Sequence, residues 1–174
     1  FPDAVLEACR ASDGIVLGPV SHNAYPPKAQ GGLNPSGELR VRLDLYANVR
    51  PSRSREGLPH WGRTPMDLVI VRESTEGLFA SVGRGTMVDD REARDTMVIT
   101  RKGSARVHEF AFRLAERRRA RGRPGEVTCV DKANVFASMA FFRKVFDEVA
   151  ARHPGMRARH RYVDATALDL VCRP

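Results

Sequence analysis

The nine residues Leu43 to Pro51, LDLYANVRP, organise the reading of this 174-residue chain. They close a helical run in which Leu39, Leu43 and Tyr46 recur on one face, and are expected to deliver Arg50 into a loop, ten residues after Arg40. A second stretch, Asp67 to Gly77 (DLVIVRESTEG), reads as an apolar strand that breaks at Arg72 into a polar turn. A guanidinium presents paired donors matched to a carboxylate, so arginines carried out of ordered structure in separate segments suit one small polyanion. Arg40, Arg50 and Arg72 are therefore candidate binders of a dicarboxylate or tricarboxylate. Taken singly, each would be read as a surface residue; their placement beside polar turns raises them above that.

Composition narrows the class. An apolar fraction of 42% supports a packed core and argues against disorder. No apolar run approaches the ~20 residues that a membrane span needs, and the opening Phe-Pro-Asp carries no basic, apolar leader. Cys9, Cys129 and Cys172 are spaced for neither a zinc site nor a secreted disulfide framework, which fits reduced thiols in a cytoplasmic protein. The net charge of +8, from 29 basic and 21 acidic residues, favours an anionic partner. Arg117 to Arg123 (RRRARGR) supply much of the excess and read first as a solvated helix end.

Along the chain, helices are expected over Phe1–Ala11, from Ser36 as cap through Tyr46, over Lys102–Arg121 with Val107, Phe110, Ala111 and Leu114 inward, over Val135–Val149 and from Ala165 to Val171. Strands are expected at Ile15–Val20 (buried), Asp67–Val71, Thr96–Thr100, Val127–Val130 and Arg157–Val163. Ser21–Gly37 is a long loop, Ser81–Asp95 a loop or exposed hairpin, and Trp61 lies in a polar connection without a functional reading. Strands alternating with helices of this length define an α/β fold. No G-x-G-x-x-G follows a strand. The chain stops at Arg173-Pro174 directly after a helical pattern with no cap sequence, which reads as truncation.

Three further residues could carry chemistry. Lys132 lies between a strand and a helix, where the positive end of the helix favours a neutral amine able to accept a proton. Asn134 is read as a helix cap by default, and so is Asp164.

Together, the Arg40/Arg50 pair, V-R-E-x-T-x-G at Val71–Gly77, VDKANV at Val130–Val135 and YVD at Tyr162–Asp164 resemble the metal-dependent β-decarboxylating dehydrogenases, which include isocitrate, 3-isopropylmalate, homoisocitrate and tartrate dehydrogenases. The resemblance runs from Asp13 to Arg173, about the middle half of a complete enzyme, and implies an isopropylmalate-dehydrogenase-like α/β fold. By that likeness, residues 1–50 are part of the large, cofactor-side domain. Residues 51–174 are the small, substrate-binding and dimerisation domain. It further implies that Arg40, Arg50 and Arg72 bind the malate-like part of a substrate. Lys132 would take part as general base, Asn134 would lie near NAD or NADP, and Asp164 would bind Mg2+ or Mn2+ across a homodimer interface, the family's other two metal aspartates lying beyond the end of this chain.

The chain departs from the family in two places, at Phe79 and in the loop before Arg40. Phe79 stands where the family pattern puts a tyrosine that assists protonation of the enol, and losing a general acid costs about 10²–10⁴-fold in such a step. Leu33-Asn34-Pro35-Ser36-Gly37, before Arg40, offers hydroxyl and amide groups, which favours a polar substituent on the substrate over an isopropyl group. Two other classes compete with the enzyme. One is a basic nucleic-acid-binding α/β module using Arg117–Arg123, for which clustered stacking aromatics are missing. The other is a catalytically incomplete binding or dimerising lobe.

Overall fold

Pro51 shows why the segment after Tyr46 is a strand and not the expected loop. The computed structural model, which describes residues 2–21, 24–27, 30–59, 62 and 64–174, pairs β1 (Ala47–Arg53) antiparallel with β2 (Asp67–Glu73). Proline cannot donate to a ladder, but a two-stranded ribbon leaves each strand an open edge, and Pro51 sits opposite Val69 without breaking the register. Arg50 thus lies inside a strand. Trp61 falls outside the described residues.

The chain divides into two compact units, Phe1–Tyr46 and Ala47–Pro174. The first holds α1 (Asp3–Ala11) and α2 (Pro35–Arg42). Leu6 and Leu39 are its buried residues among those described, and Arg42 pairs with Asp3 at 3.1 Å. Two expectations fail here. Ile15–Val20 forms no strand: it is exposed, with no strand partner among the described residues. The cap of α2 is Asn34, whose side chain accepts from the Gly37 N–H at 3.1 Å, while Ser36 lies in the first turn and bonds Asn34. With Pro35 at the first helical position, the start is fixed two residues earlier than Ser36 as cap would have set it.

The second unit is built on α3 (Arg101–Arg119) and a β-α-β unit. In the latter, β5 (Glu126–Asp131) and β6 (Arg157–Tyr162) run parallel, joined through α4 (Ala137–Ala150). The order of elements and this parallel pair make the chain a mixed α/β structure. Its core is Phe112, Cys129, Val145, Phe146 and Val149. A short antiparallel hairpin, β3 (Thr86–Val88) with β4 (Glu92–Arg94), is exposed throughout, and α5 (Val163–Cys172) follows β6. All three cysteines are free. No helix of the described residues is long and apolar enough to cross a membrane.

Several boundaries move. Thr96–Thr100 is no strand but a single bridge, Val98 to Gly77, because Thr100 is taken up as the α3 cap and accepts from the Gly103 N–H. On α3 only Val107 of the expected inward set is buried. The true face carries Ser104, His108, Phe112 and Ala115, and the two polar residues rotate it away from an apolar count. Ser104 is satisfied by donating to the Thr100 carbonyl at 2.7 Å, and His108 Nε2–H by donating to the Phe142 carbonyl at 3.2 Å. Val135 lies before α4 and is exposed.

Two histidines give this core a pH signature. Burial pushes His108 down to about 4, against the opposing pull of the Phe142 carbonyl and Asp147. An unfolded histidine takes a proton near 6.5, so between about 6.5 and 4 the unfolded chain binds the proton and the folded one does not. Stability therefore falls on acidification through that window, by roughly 3 kcal/mol at most. His153 acts oppositely: Glu116 and Glu109 raise its pKa, and its contribution is full below the unfolded value and lost as pH rises through the raised one. His108→Gln keeps a donor for Phe142 and is expected to flatten the fall in denaturant-measured stability between pH 6.5 and 4.5. An unchanged slope would show that His108 is not its source.

Candidate functional site

The β1–β2 ribbon decides where two of the three candidate arginines go. Residues directly opposite in an antiparallel pair point to the same face. Asn48 is opposite Arg72 and Arg50 opposite Ile70, so Asn48, Arg50, Ile70 and Arg72 share one face, on which both arginines are exposed. Asn48 Oδ1 accepts from Arg50 Nε at 3.1 Å, steering that guanidinium along the ribbon. Asn48 escaped the reading of the sequence, although the alternation of ANVR would have placed it beside Arg50. Arg40 lies on α2 of the other unit and is half-buried.

The opposite face of β2 turns to α3. Arg118 donates to Asp67 Oδ1 at 2.7 Å and Arg123 pairs with Oδ2 at 3.1 Å, so this part of the basic run is not simply solvated. The Arg118 hydrogen bond, foremost, holds the Asp67 carboxyl below its ordinary value. Arg119 donates to the Gly155 carbonyl. These partners make a poor starting point for a nucleic-acid surface.

Beyond Arg72 the turn is closed by two glutamates. Glu73 accepts from the Thr75 N–H at 2.8 Å and the Glu76 N–H at 2.9 Å. Glu76 accepts from Thr100 N–H at 2.9 Å and Oγ1–H at 2.6 Å. Gly77, at φ +77°, permits the reversal. A short 3-10 turn, Leu78–Ser81, then brings the Phe79 ring to 5.2 Å from the Arg72 guanidinium. Phe79 is thus beside the arginine to which the sequence reading tied it.

The third group surrounds the end of β5. Lys132 Nζ donates to Asp164 Oδ1 at 2.9 Å, which holds the Asp164 carboxyl below its ordinary value. Helix α4 starts only at Ala137, with Phe136 at its N-cap and no side-chain cap bond. Lys132 is therefore not at the helix N-terminus as expected, and Asn134, exposed, does not cap it. Asp164 lies in the first turn of α5, with Tyr162 at the cap position.

Sequence reasoning also missed Asp131 and Arg143. The Asp131 side chain is fully buried and receives Arg143 Nε at 2.9 Å, Arg143 Nη2 at 2.7 Å and the Ala133 N–H at 2.9 Å. Burial pushes its carboxyl up, but the Arg143 fork and the Ala133 N–H outweigh it and keep it below the ordinary value. Cys129 Sγ is 3.5 Å away, and burial with the Asp131 charge raises its thiol pKa.

Among the described residues no cluster of three or more His, Cys, Asp or Glu side chains could hold a metal ion. Asp164 is a single carboxylate already engaged by Lys132, so the residues of this span do not by themselves fit a divalent cation. Asn134 alone makes no nucleotide site. What the arrangement offers is an exposed face of two arginines and, separately, an amine held by a carboxylate.

The sequence profile of the family described as "Isocitrate/isopropylmalate dehydrogenase" matches residues 1–174. The chain is 37% identical over 183 residues to a 3-isopropylmalate dehydrogenase of Listeria monocytogenes serotype 4b (strain F2365), covering 100% of this chain and 49% of that protein. It is 33% identical over 175 residues to a 3-isopropylmalate/3-methylmalate dehydrogenase of Methanocaldococcus jannaschii, again 100% against 49%. The crystal structure of isocitrate dehydrogenase from Methylococcus capsulatus superposes with a TM-score of 0.74 at 34% identity, covering 98% of this chain and 49% of that one. The chain thus spans about half the length of the curated relatives it matches.

Glu76 is the pin of the turn that carries Arg72 and Phe79. Glu76→Ala leaves the Thr100 N–H without its acceptor and is expected to lower stability by about 1–2 kcal/mol, read as a fall in Tm. A variant with the parent Tm would remove Glu76 from that role.

Proposed function

The chain belongs to the isocitrate/isopropylmalate dehydrogenase family, and on that premise we propose that the protein containing it oxidises, and decarboxylates, a 3-substituted malate. The observation that carries this is the common face of Arg50 and Arg72 on the β1–β2 ribbon, suited to the carboxylates of one hydroxy acid. Arg40 has the same binding role on the resemblance. Lys132 takes the proton of the 2-hydroxyl as that group is oxidised. Its hold on Asp164 must loosen for it to do so.

NAD+ or NADP+ would supply the hydride acceptor and Mg2+ or Mn2+ the Lewis acid, with Asp164 contributing one metal oxygen and Asn134 lying near the nucleotide. The remaining metal ligands must come from elsewhere in the assembled protein, which we take to be a cytoplasmic homodimer.

For the substrate, 3-isopropylmalate ranks ahead of isocitrate and tartrate. The Listeria and Methanocaldococcus relatives carry that name, and the Asn34 and Ser36 groups that favoured a polar substituent are engaged with each other and with Gly37.

The test is NAD(P)H formation by the full-length protein with each of the three acids and Mg2+ or Mn2+. Turnover that ignores the hydroxy acid or the metal would sink the assignment. Arg72→Ala should lower kcat/KM for the acid by about 10- to 100-fold. Phe79→Tyr should raise the ratio of CO2 released to NAD(P)H formed, because it adds a proton donor beside Arg72. An unaltered ratio would remove Phe79 from the decarboxylation step.

A further inference from the structure

Building on the dehydrogenase reading, we propose that Arg143 is a positioning residue for Lys132, acting through Asp131 on one side and Tyr162 on the other. Asp131 directly precedes Lys132, and its carboxylate reaches past it to the Ala133 N–H, so it grips the backbone on both sides of the lysine. That grip needs a carboxylate buried with no exposed side-chain surface, and the Arg143 fork is its only charged partner among the described residues. The same guanidinium lies 5.2 Å from the centre of the Tyr162 ring, while Lys132 Nζ lies 6.0 Å from it. Both cations thus lie against the one ring, and the amine is held toward Asp164 at 2.9 Å.

Backbone geometry points the same way. The Lys132 carbonyl accepts from both Val135 N–H at 3.0 Å and Phe136 N–H at 3.1 Å, forming a tight turn before α4. Arg143 sits inside α4, so it anchors that turn to the helix that follows it. A lysine offers one point charge where Arg143 offers a planar fork, so charge alone does not reproduce the arrangement.

Two variants of the full-length protein test this. Arg143→Lys keeps the charge and loses the fork, whereas Asp131→Asn combined with Arg143→Gln removes both charges and leaves no lone buried carboxylate. Melting curves show which are folded, and the paired variant serves where the single one is not. The first readout is native-state reductive methylation of Lys132 relative to Lys102, resolved by peptide mass spectrometry. The ratio is expected to rise about fivefold, the factor that a lost hydrogen bond supplies. The second is kinetic: kcat should fall about 10- to 100-fold with the hydroxy-acid KM nearly unchanged. Adding Lys132→Ala to either variant should cost no more than Lys132→Ala alone, since both act through one amine.

A parent-like methylation ratio in a folded variant overturns the proposal, and so does a raised ratio with parent kcat. If the parent protein turns over none of the hydroxy acids, the dehydrogenase reading fails. The methylation ratio then still decides whether Arg143 positions Lys132.

Discussion

A carboxylate with no exposed surface cannot be left alone, and Asp131 is that carboxylate. Its requirement for partners ties the end of β5 to α4 through Arg143 and to the turn at Ala133 through a backbone N–H. The apolar core then closes around the same elements, with Phe112 from α3 and Phe146 from α4 at 5.3 Å. His153 stacks on Phe112 at 4.9 Å while pairing with Glu109 and Glu116, so α3 and the end of α4 are joined by both apolar and ionic contacts. Removing the Asp131 pair would loosen the stretch that carries Lys132.

A second constraint governs the ribbon. β1 and β2 make a two-stranded sheet, which is marginal by itself. Its inner face is held to α3 by Asp67 with Arg118, and the turn at its end by Glu76 with Thr100. The outer face is thereby free to display Arg50 and Arg72. Burial on one side and polarity on the other are what an alternating strand provides, and the ion pairs at Asp67 decide which side is which.

Much of this was legible beforehand. The helices near 3–11, 101–119, 137–150 and 163–172 and the strands near 67–73, 126–131 and 157–162 follow from periodicity and punctuation. The readings that failed did so for identifiable reasons. Ile15–Val20 looked buried because it is apolar, but a strand exists only where a partner does, and none is present among the described residues. Arg50 was placed in a loop because Pro51 was read as a terminator, although an edge accepts proline. The inward face of α3 was misphased because Ser104 and His108 are polar and buried, which an apolar count does not register.

What the amino-acid order determined by itself was most of the succession of elements and the motifs in which the candidate residues Arg40, Arg50, Arg72, Lys132 and Asp164 stand. Tertiary structure alone decided that Arg50 and Arg72 share a face, that Phe79 lies against Arg72, that Lys132 meets Asp164 and that Asp131 is buried on Arg143. Each of those joins residues distant along the chain or sets a register. Periodicity specifies which way a side chain points along its own element, whereas the partner it meets depends on how separate elements pair and pack.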